Sequence, residues 1–403
     1  MIRETGLAGY WANQLEGWII RHGLRGYDPF DVKAHPLIRV VQPYAALRKP
    51  VSIFLDVAPV TIRKALRIRP TLNPKAFALV ALAELRLYQA GGDEAHLERA
   101  VDYLEWLHEN ACPDAHGLAW GYPFDVGGKA VFRPAGTPVG VVSAIAGEAF
   151  HLAWQLIGDT AYRDAVCAVA EFIRTDLQRM PQQDGTICFS YTPVDRWPVH
   201  NANLHAAAHL YRAWAVTGDE PLRETAENAL AFTLRRQRDN GSWPYGEWAA
   251  AQQHEQGVLD VVDHHHTGFV LRALHEIQTH TGREDLRDPI VKGFAFYKEN
   301  LFNADGVPRI TVGRTYPINI HACAEGIICP AVLTGVDESA LELSTRTLKW
   351  TRRNMTNPDN GLPYYRKYPL YANKLLCTRW GLAWMFYALA EYLYRAGTVE
   401  PQE

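Results

Sequence analysis

The sequence has no excess of positive charge and no long uncharged apolar run. Its 403 residues carry 41 Lys and Arg against 44 Asp and Glu, which gives a formal net charge of -3. This balance excludes a strongly basic surface for nucleic acid. No run reaches about 18 uncharged apolar residues, so no membrane-spanning helix is predicted. Residues 1–6 lack a basic start that leads into an apolar run, so no signal peptide is predicted and a cytoplasmic location is expected.

Cysteine is scarce and follows no regular spacing. The six cysteines include no C-x-x-C pair, and they are expected to be reduced, mostly buried thiols. The sequence also lacks a phosphate-binding loop, a G-x-G-x-x-G fingerprint and a G-x-S-x-G elbow, the common motifs of nucleotide binding and serine hydrolysis. His321, Cys323 and Cys377 form too incomplete a set of zinc ligands, so neither a metal nor another cofactor is predicted.

A repeat of helical hairpins runs through most of the chain. An apolar helix, a short turn, an amphipathic helix and a longer loop recur, and Gly in the turn suits the left-handed residue that ends a helix. Asn, Asp and Thr, which are favourable N-caps, precede the apolar helices. These helices are predicted to begin near Asn73, Thr137, Asn201, Asp263, Asn319 and Asn373, at intervals of 64, 64, 62, 56 and 54 residues.

The two helix types differ in how apolar residues are distributed. Residues 77–83 (FALVALA) are apolar on all sides, as in a buried helix, whereas residues 97–107 (LERAVDYLEWL) carry charges on one face. The sequence therefore predicts an all-α fold, an (α/α)6 toroid with apolar helices inside and amphipathic helices outside. We expect one domain over residues 1–403, with closing helices in 1–70 and hairpin repeats in 71–403. A helix around residues 10–21 is expected to complete the outer ring.

The long loops are predicted to lie together on one rim of the toroid. Because the helices alternate in direction, every outer-to-inner loop returns to the end where the inner helices begin, and function concentrates on such loops. The partial positive charges of the helix N-termini favour an anionic group such as a carboxylate or phosphate. Short hairpins are expected within the loops near residues 187–191 and 310–312.

Three short motifs accompany this architecture: residues 26–31 (GYDPFD), 241–246 (GSWPYG) and 263–271 (DHHHTGFVL). Over almost the whole chain, the hairpin pattern resembles the six-hairpin superfamily of glycoside hydrolases, polysaccharide lyases and sugar epimerases, with the related terpenoid cyclases. The motifs resemble those of proteins encoded with bacterial surface-polysaccharide synthesis genes. The resemblance implies a saccharide ligand in the cup formed by the loops, and the Asp-rich runs of terpenoid cyclases are absent.

Asn and His recur at three successive inner-helix starts, which indicates acid–base chemistry. Uronate lyases and epimerases need a base for a C–H bond, an acid, and a neutral donor to the carboxylate, and histidine titrates near neutrality. The alternative interpretation is that these residues cap helices and fill the core. The candidate catalytic residues are His205, His266 and His321, and the candidate substrate-binding residues are Asn201, Asn203, His264 and Asn319.

Loop carboxylates and aromatic side chains complete the candidate site. A hydrolase needs two carboxylates that face each other, and Glu247 and Asp263 are the best pair by position. Tyr245 is a candidate acid; flat rings stack on sugars, and arginine binds anionic groups in a bidentate manner. The alternative for these rings and charges is hairpin packing and solvation. The further candidate substrate-binding residues are Trp120, Tyr122, Trp243, Tyr365, Arg366 and Arg379.

Together these features favour a carbohydrate-active enzyme. It is expected to act on an acidic, uronate-type saccharide by general acid–base chemistry, as an epimerase, lyase or hydrolase in polysaccharide biosynthesis or remodelling. A neutral-sugar 2-epimerase or isomerase is the first alternative, although the usual histidine motifs of that group are not found. A noncatalytic glycan-binding component of an assembly complex is the second. The expected partner is an oligo- or polysaccharide, or an activated sugar intermediate.

Overall fold

A computed structural model describes residues 2–41, 44, 51, 53–127, 132–247 and 260–398 of the chain. Helices dominate it. In chain order they are α1 (Ile2–His22), α2 (Asp31–Ala34), α3 (Pro36–Val41), α4 (Pro59–Ala65), α5 (Pro74–Gly91), α6 (Glu94–Glu109), α7 (Gly140–Ile157), α8 (Thr160–Thr175), α9 (His200–Thr217), α10 (Glu220–Leu234), α11 (His264–Thr281), α12 (Arg287–Asn300), α13 (Ile320–Val332), α14 (Ala340–Asn354) and α15 (Trp384–Thr398).

Six helices form an inner ring, in chain order. α5, α7, α9, α11, α13 and α15 each pack against the next, and α15 packs against α5 to close the ring. α6, α8, α10, α12 and α14 lie outside, each against the inner helix that precedes it. α1 packs against α15 and takes the sixth outer place. The fold is the (α/α)6 toroid predicted from the repeat.

The inner helices are buried because they are apolar on all sides. In α5 every side chain from Pro74 to Leu85 is buried. α7 is, by length and composition alone, apolar enough to cross a membrane, but 72% of it is buried within the ring, as expected for a core helix. All six cysteines are free thiols, and four of them are buried.

The inner helices do not all begin where the sequence predicts. Asn73, Asp263 and Asn319 are N-caps whose side chains accept hydrogen bonds from the first turn, as expected. Thr137 and Asn201 are not caps, because α7 begins after Val139 and α9 after Val199.

The start of the sixth inner helix was also misplaced. Asn373 lies in a strand, and a π-helical turn over Thr378–Ala383 leads into α15. π-turns of this kind often occur at functional sites, and this one carries Arg379 and Trp380 to the end of the ring.

Glycine ends four of the inner helices. Gly92, Gly158, Gly218 and Gly282 have φ values of 73°, 79°, 73° and 67°, in the left-handed region. A residue with a Cβ atom would be strained in this conformation. Glycine therefore allows the short turns to the outer helices at these positions.

Strands are few and short, and all of those described belong to the loops. β1 (Val126–Gly127) pairs with β2 (Phe132–Arg133), and β3 (Arg179–Pro181) pairs with β4 (Ile187–Phe189), which confirms the hairpin expected near 187–191. Around 310–312 only isolated bridges form. The last three strands, β5 (Ile318–Asn319), β6 (Arg366–Lys367) and β7 (Ala372–Asn373), form an antiparallel sheet in which Asn319 pairs with Arg366.

Candidate active site

A cavity of about 390 Å³ opens at the end of the ring where the inner helices begin. The first turn of each inner helix, or the π-turn before α15, contributes to its lining, and loop residues form the walls. Its lining includes Lys75, Tyr122, Arg133, Tyr191, Trp197, Asn201, Tyr245, His265, His266, Phe269, Asn319, His321, Arg366, Arg379 and Trp380.

Asp263 holds two histidines at the start of α11. Its Oδ1 accepts the backbone N–H of His266 at 3.0 Å, its Oδ2 lies 2.6 Å from Nδ1 of His266, and Oδ1 lies 3.2 Å from Nδ1 of His265. Burial opposes ionisation of Asp263, but the two imidazoles and these hydrogen bonds lower its pKa below its usual value. An ionised carboxylate only accepts, so each Nδ1 donates to Asp263, which leaves each Nε2 available to a ligand.

Burial keeps His265 neutral. It lowers the pKa of the imidazole to about 3, although Asp263 acts in the opposite direction. A neutral ring with a free Nε2 is the form that accepts a proton.

His321 faces this pair from α13. Its ring stacks on that of His265, with centroids 4.9 Å apart, and lies edge-on to Trp380 at 4.3 Å. Burial, then the charges of His265 and Lys75, lower its pKa well below the usual value. Both ring nitrogens are buried without a hydrogen-bond partner among the described residues.

Lys75, in the first turn of α5, brings an amine to the cavity floor. It lies 5.9 Å from the Phe269 ring centroid and 5.2 Å from that of Trp384. No described carboxylate oxygen lies within 4.0 Å of its Nζ. Burial, followed by the charges of Arg379 and Arg272, lowers its pKa well below the usual value. A bound anion acts in the opposite direction and raises the pKa of a neighbouring amine, so this position favours an anionic group.

Asn201 is a third buried group whose polar atom is unpaired. Because Val199 is the N-cap of α9, the Asn201 side chain is not used for capping. It is 2% exposed and lines the cavity, and its Oδ1 has no described partner. Buried polar atoms normally have hydrogen-bond partners. Unpaired atoms of Asn201 and His321 on one cavity indicate a site built for a polar ligand.

The arginines of the cavity wall are paired with carboxylates behind them. Arg379 forms a bidentate pair with Asp28, at 2.6 and 2.9 Å. Arg133 Nη2 lies 3.0 Å from Asp195 Oδ2. Arg366 lies 3.5 Å from Asp56, and its Nε has no hydrogen-bond partner in the described part of the chain. Arg379 and Arg366, two of the predicted substrate-binding residues, line the cavity.

Aromatic side chains line the rest of the wall. The guanidinium of Arg379 lies over the Tyr122 ring at 4.9 Å, and the Tyr245 ring lies 4.4 Å from that of His266. Burial raises the pKa of Tyr245 above its usual value, and it raises that of Tyr191 further. These phenols remain proton donors throughout the physiological range.

Four predicted substrate-binding residues lie away from the cavity. Trp120 and Trp243 are buried, and their indole N–H groups donate to Leu107 O and Thr233 O at the ends of α6 and α10. This anchoring of loops to outer helices is the packing interpretation of both tryptophans. The prediction that they bind substrate is not supported by their position.

Asn203 and His264 are likewise held by the protein. Asn203 Oδ1 accepts from Phe189 N, and its amide donates to Ala229 O. Nδ1 of His264 lies 2.9 Å from Leu301 O, and its Nε2 lies 2.7 Å from the Tyr297 hydroxyl. Both ring nitrogens of His264 are therefore used by the protein, and its side chain points to the outer helices. His265 lines the cavity at the position that was predicted for His264.

Three further candidates lie beside the cavity rather than on it. Glu247 accepts a 2.9 Å hydrogen bond from His200, and Tyr365 is buried under Arg366 with its ring centroid 4.5 Å from the guanidinium. His205 lies one turn below Asn201, against Phe269 at 5.6 Å, and its Nε2 has no described partner. The structure places Asp263, Tyr245, His266, His321, Asn201 and Asn319 together at the cavity.

Sequence reasoning missed Lys75, His265, Arg133, Tyr191 and Trp197. For Lys75 the available signal was a lysine in the first turn of an otherwise apolar helix, because a buried charge is costly unless it reaches solvent or binds a ligand. No sequence signal distinguishes His265 from His264, since the rotation of α11 decides it.

Asp263, His265 and His266 also have metal-ligand composition, with ligand atoms within 4.8 Å of one another. However, the carboxylate already accepts from both imidazoles at hydrogen-bond distances. These contacts indicate that Asp263 orients the two imidazoles.

No family model and no curated protein sequence matches this chain. Solved structures do: cellobiose 2-epimerase from Bacillus thermoamylovorans is similar with a TM-score of 0.64 and 13% identity, over 82% of this chain and 90% of that one. A D-mannose isomerase matches with a TM-score of 0.62, 12% identity, and 81% and 88% coverage. A possible GH105 family member from Salmonella enterica matches with a TM-score of 0.59 and 10% identity, over 79% of this chain and 82% of that one. The chain shares their (α/α)6 fold.

Proposed function

We propose that this protein is a carbohydrate-active enzyme that acts on an acidic, uronate-type saccharide by general acid–base chemistry, as an epimerase or lyase. A role in polysaccharide biosynthesis or remodelling in the cytoplasm is part of the proposal. The observation that carries it is the group of buried side chains without partners, Asn201 Oδ1 and His321 Nδ1 and Nε2, beside the Asp263-oriented histidines.

The anionic part of the substrate follows from charge. Lys75 is the cavity cation that has no carboxylate within 4.0 Å among the described residues, whereas Arg379 and Arg133 are each paired. The N-termini of the inner helices add partial positive charge at the same end. A substrate carboxylate beside Lys75 would raise the pKa of the amine, stabilise its ammonium form and complete the pair.

Proton transfer follows from the histidines. A carboxylate acidifies the adjacent C–H bond once it is neutralised by hydrogen bonds and a cation, and a neutral imidazole then accepts the proton. Nε2 of His266 or His265 is the base, because Asp263 holds each Nδ1. Tyr245, a phenol beside His266, is the acid, which returns a proton in an epimerase or protonates the leaving oxygen in a lyase.

Hydrolysis is the least favoured of the three expected reactions. No Asp or Glu side chain is among the described residues that line the cavity. The predicted pair is committed elsewhere: Glu247 to His200, and Asp263 to His265 and His266. Two carboxylates facing across a bound sugar, which glycoside hydrolysis requires, are not found in the described structure.

The test is proton NMR in heavy water with uronate-containing oligosaccharides. Deuterium at a ring carbon next to the carboxylate identifies an epimerase, and vinyl signals identify a lyase. His266→Gln and His265→Gln should lower the rate about 10²- to 10⁴-fold. The matched control is His116→Gln, an exposed loop histidine 2.5 Å from Asp176, which should keep full activity.

Two outcomes contradict the proposal. Binding of a uronate without any chemical change would favour a glycan-binding component. Unchanged turnover in a variant that lacks both His265 and His266 imidazoles would remove the assigned base.

A second candidate is a neutral-sugar 2-epimerase or isomerase. It is favoured by the structural similarity to cellobiose 2-epimerase and to a D-mannose isomerase. Neutral mono- and disaccharides in the same NMR experiment separate the candidates, because exchange at C2 of a neutral sugar needs no carboxylate. Lys75→Met should abolish turnover of a uronate while affecting a neutral sugar less.

A further inference from the structure

The stretch from residue 37 to residue 60 exposes an unusual number of large apolar side chains. The described residues include 17 such side chains with substantial exposure, and seven of them lie here. An exposed apolar patch commonly marks an interaction surface. The seven are Leu37 (64% exposed), Val40 (67%), Tyr44 (61%), Ile53 (54%), Phe54 (62%), Val57 (63%) and Val60 (41%).

The helical turn over 53–57 buries its charged residue and exposes its apolar ones. Its Asp56 is buried, where Asn373 donates to Oδ1 at 3.1 Å and the Tyr368 hydroxyl donates to Oδ2. Ile53, Phe54 and Val57 face solvent instead. A surface helix of a water-soluble domain normally shows the opposite arrangement, so the outward face has the composition of a contact surface.

Within residues 31–70, the exposed charge that borders this face has one sign. Lys64, Arg67 and Arg69 are exposed directly after it. The only acidic residues between 31 and 70 are Asp31 and Asp56, and both are buried and paired, with Arg63 at 2.8 Å and Arg366 at 3.5 Å. An apolar face bordered by exposed cations is the pattern that binds an anionic lipid surface.

We propose that this surface, formed by Ile53, Phe54, Val57 and Val60 with the bordering cations, binds an anionic lipid bilayer at its interface. A second copy of the chain is disfavoured as the occupant, because a two-fold contact would place the same cations opposite one another. Asp56 contacts Arg366 on the cavity wall, so the bound bilayer lies next to the cavity. A saccharide carried on a membrane lipid would then reach the site; this last step alone rests on the proposed function.

The test is co-sedimentation of the full chain with phosphatidylcholine vesicles and with vesicles that also contain phosphatidylglycerol. The wild type should sediment with the anionic vesicles, and added salt should weaken binding. Phe54→Asp should reduce the partition about 10- to 100-fold, because a buried aromatic ring contributes about 1.5–3 kcal/mol. Val291→Asp, at a 42% exposed valine on α12, is the matched control and should bind like the wild type.

Folding and oligomeric state keep the outcomes distinct. Phe54→Asp should keep the circular dichroism and melting temperature of the wild type, since the ring is exposed. Wild-type protein that stays in the supernatant with anionic vesicles overturns the proposal. So does light scattering that shows a dimer which Phe54→Asp dissociates. Neither readout depends on turnover, so enzymatic failure and failure of membrane binding are separable.

Discussion

The two halves of the barrel axis treat polar side chains in opposite ways. Near the cavity, Asn201 and His321 bring together buried polar atoms without described protein partners, and Lys75 has no described carboxylate within 4.0 Å. Toward the other end, the inner helices supply charges that pair with one another. Arg212 lies 2.6 Å from Glu276 and 3.2 Å from Glu148, Arg272 lies 2.8 Å from Glu325, and Arg86 lies 2.7 Å from Glu391.

The paired charges form a network that closes the axis below the cavity. It even reaches across the ring, where the Tyr387 hydroxyl on α15 donates to Glu148 on α7 at 3.4 Å. A satisfied network of buried charges fixes structure, whereas unsatisfied groups favour a ligand. Burial alone therefore does not distinguish a functional histidine or lysine from a structural one. A buried side chain without partners indicates a ligand site where it also lines the cavity, as Asn201 and His321 do.

The largest expected effect is on the paired end. Arg212→Ala removes a buried cation from between Glu276 and Glu148, which are themselves partly exposed. Removal of one partner of a buried pair costs at most about 3–5 kcal/mol. The free energy of unfolding, from urea titration followed by circular dichroism, should fall by up to that amount. Arg174→Ala, which breaks the exposed pair with Glu171, is the control and should change it by less than about 1 kcal/mol. Equal effects of the two variants would remove the distinction between the network and the surface.

Lys75→Met should act in the opposite direction on stability. It removes a buried amine that has no described partner, so the free energy of unfolding should rise by about 0.5–2 kcal/mol, as at other sites where function and stability conflict. Affinity for a uronate-containing saccharide, measured calorimetrically, should fall roughly 10- to 100-fold, the loss expected for a hydrogen bond to a charged group. A destabilised variant with unchanged affinity would show that Lys75 belongs to the structural half.

The fold was predictable from the sequence because it repeats. Apolar helices, Gly92, Gly158, Gly218 and Gly282 at the turns, and the direction of the long loops all follow from local physical chemistry. Asn73, Asp263 and Asn319 cap inner helices as predicted, and the cavity lies at the rim where these helices begin.

The identity of the site residues was less predictable. Each helix residue is rotated about 100° from the last, so an error in helix rotation exchanges a cavity residue for a buried one. His264 and His265 show this, because the Tyr297 hydroxyl on the outer helix holds the first and leaves the second on the cavity. The position of Trp120 and Trp243 off the cavity was not predictable, because the indole that anchors a loop and the indole that stacks on a sugar have the same sequence context.

Structural histidines should make stability depend on pH. Burial lowers the pKa of His209 to about 3, with a further contribution from Arg212, and lowers that of His264 to about 4. Because the folded pKa lies below the unfolded value of about 6.5, the unfolded chain binds more protons, and stability is lost as the pH falls below about 6.5. Between pH 7 and pH 5 the loss in His209→Gln should be about 1–2 kcal/mol smaller than in the wild type. Parallel urea titrations at both pH values measure this, and identical losses would contradict it.

Trp243 tests the comparison at a side chain that is structural although it lies in the loop beside the site. Its indole N–H donates to Thr233 O at 2.9 Å, and the ring is 2% exposed. Trp243→Phe keeps an aromatic ring but removes this hydrogen bond at the end of α10, so the free energy of unfolding should fall by about 1–3 kcal/mol, near the lower limit if water reaches the carbonyl. Affinity for the saccharide should not change, because the side chain does not line the cavity. If the variant kept its stability and lost affinity, Trp243 would be a sugar-binding residue after all. The presence of a hydrogen-bond partner would then not separate structural side chains from ligand-binding ones.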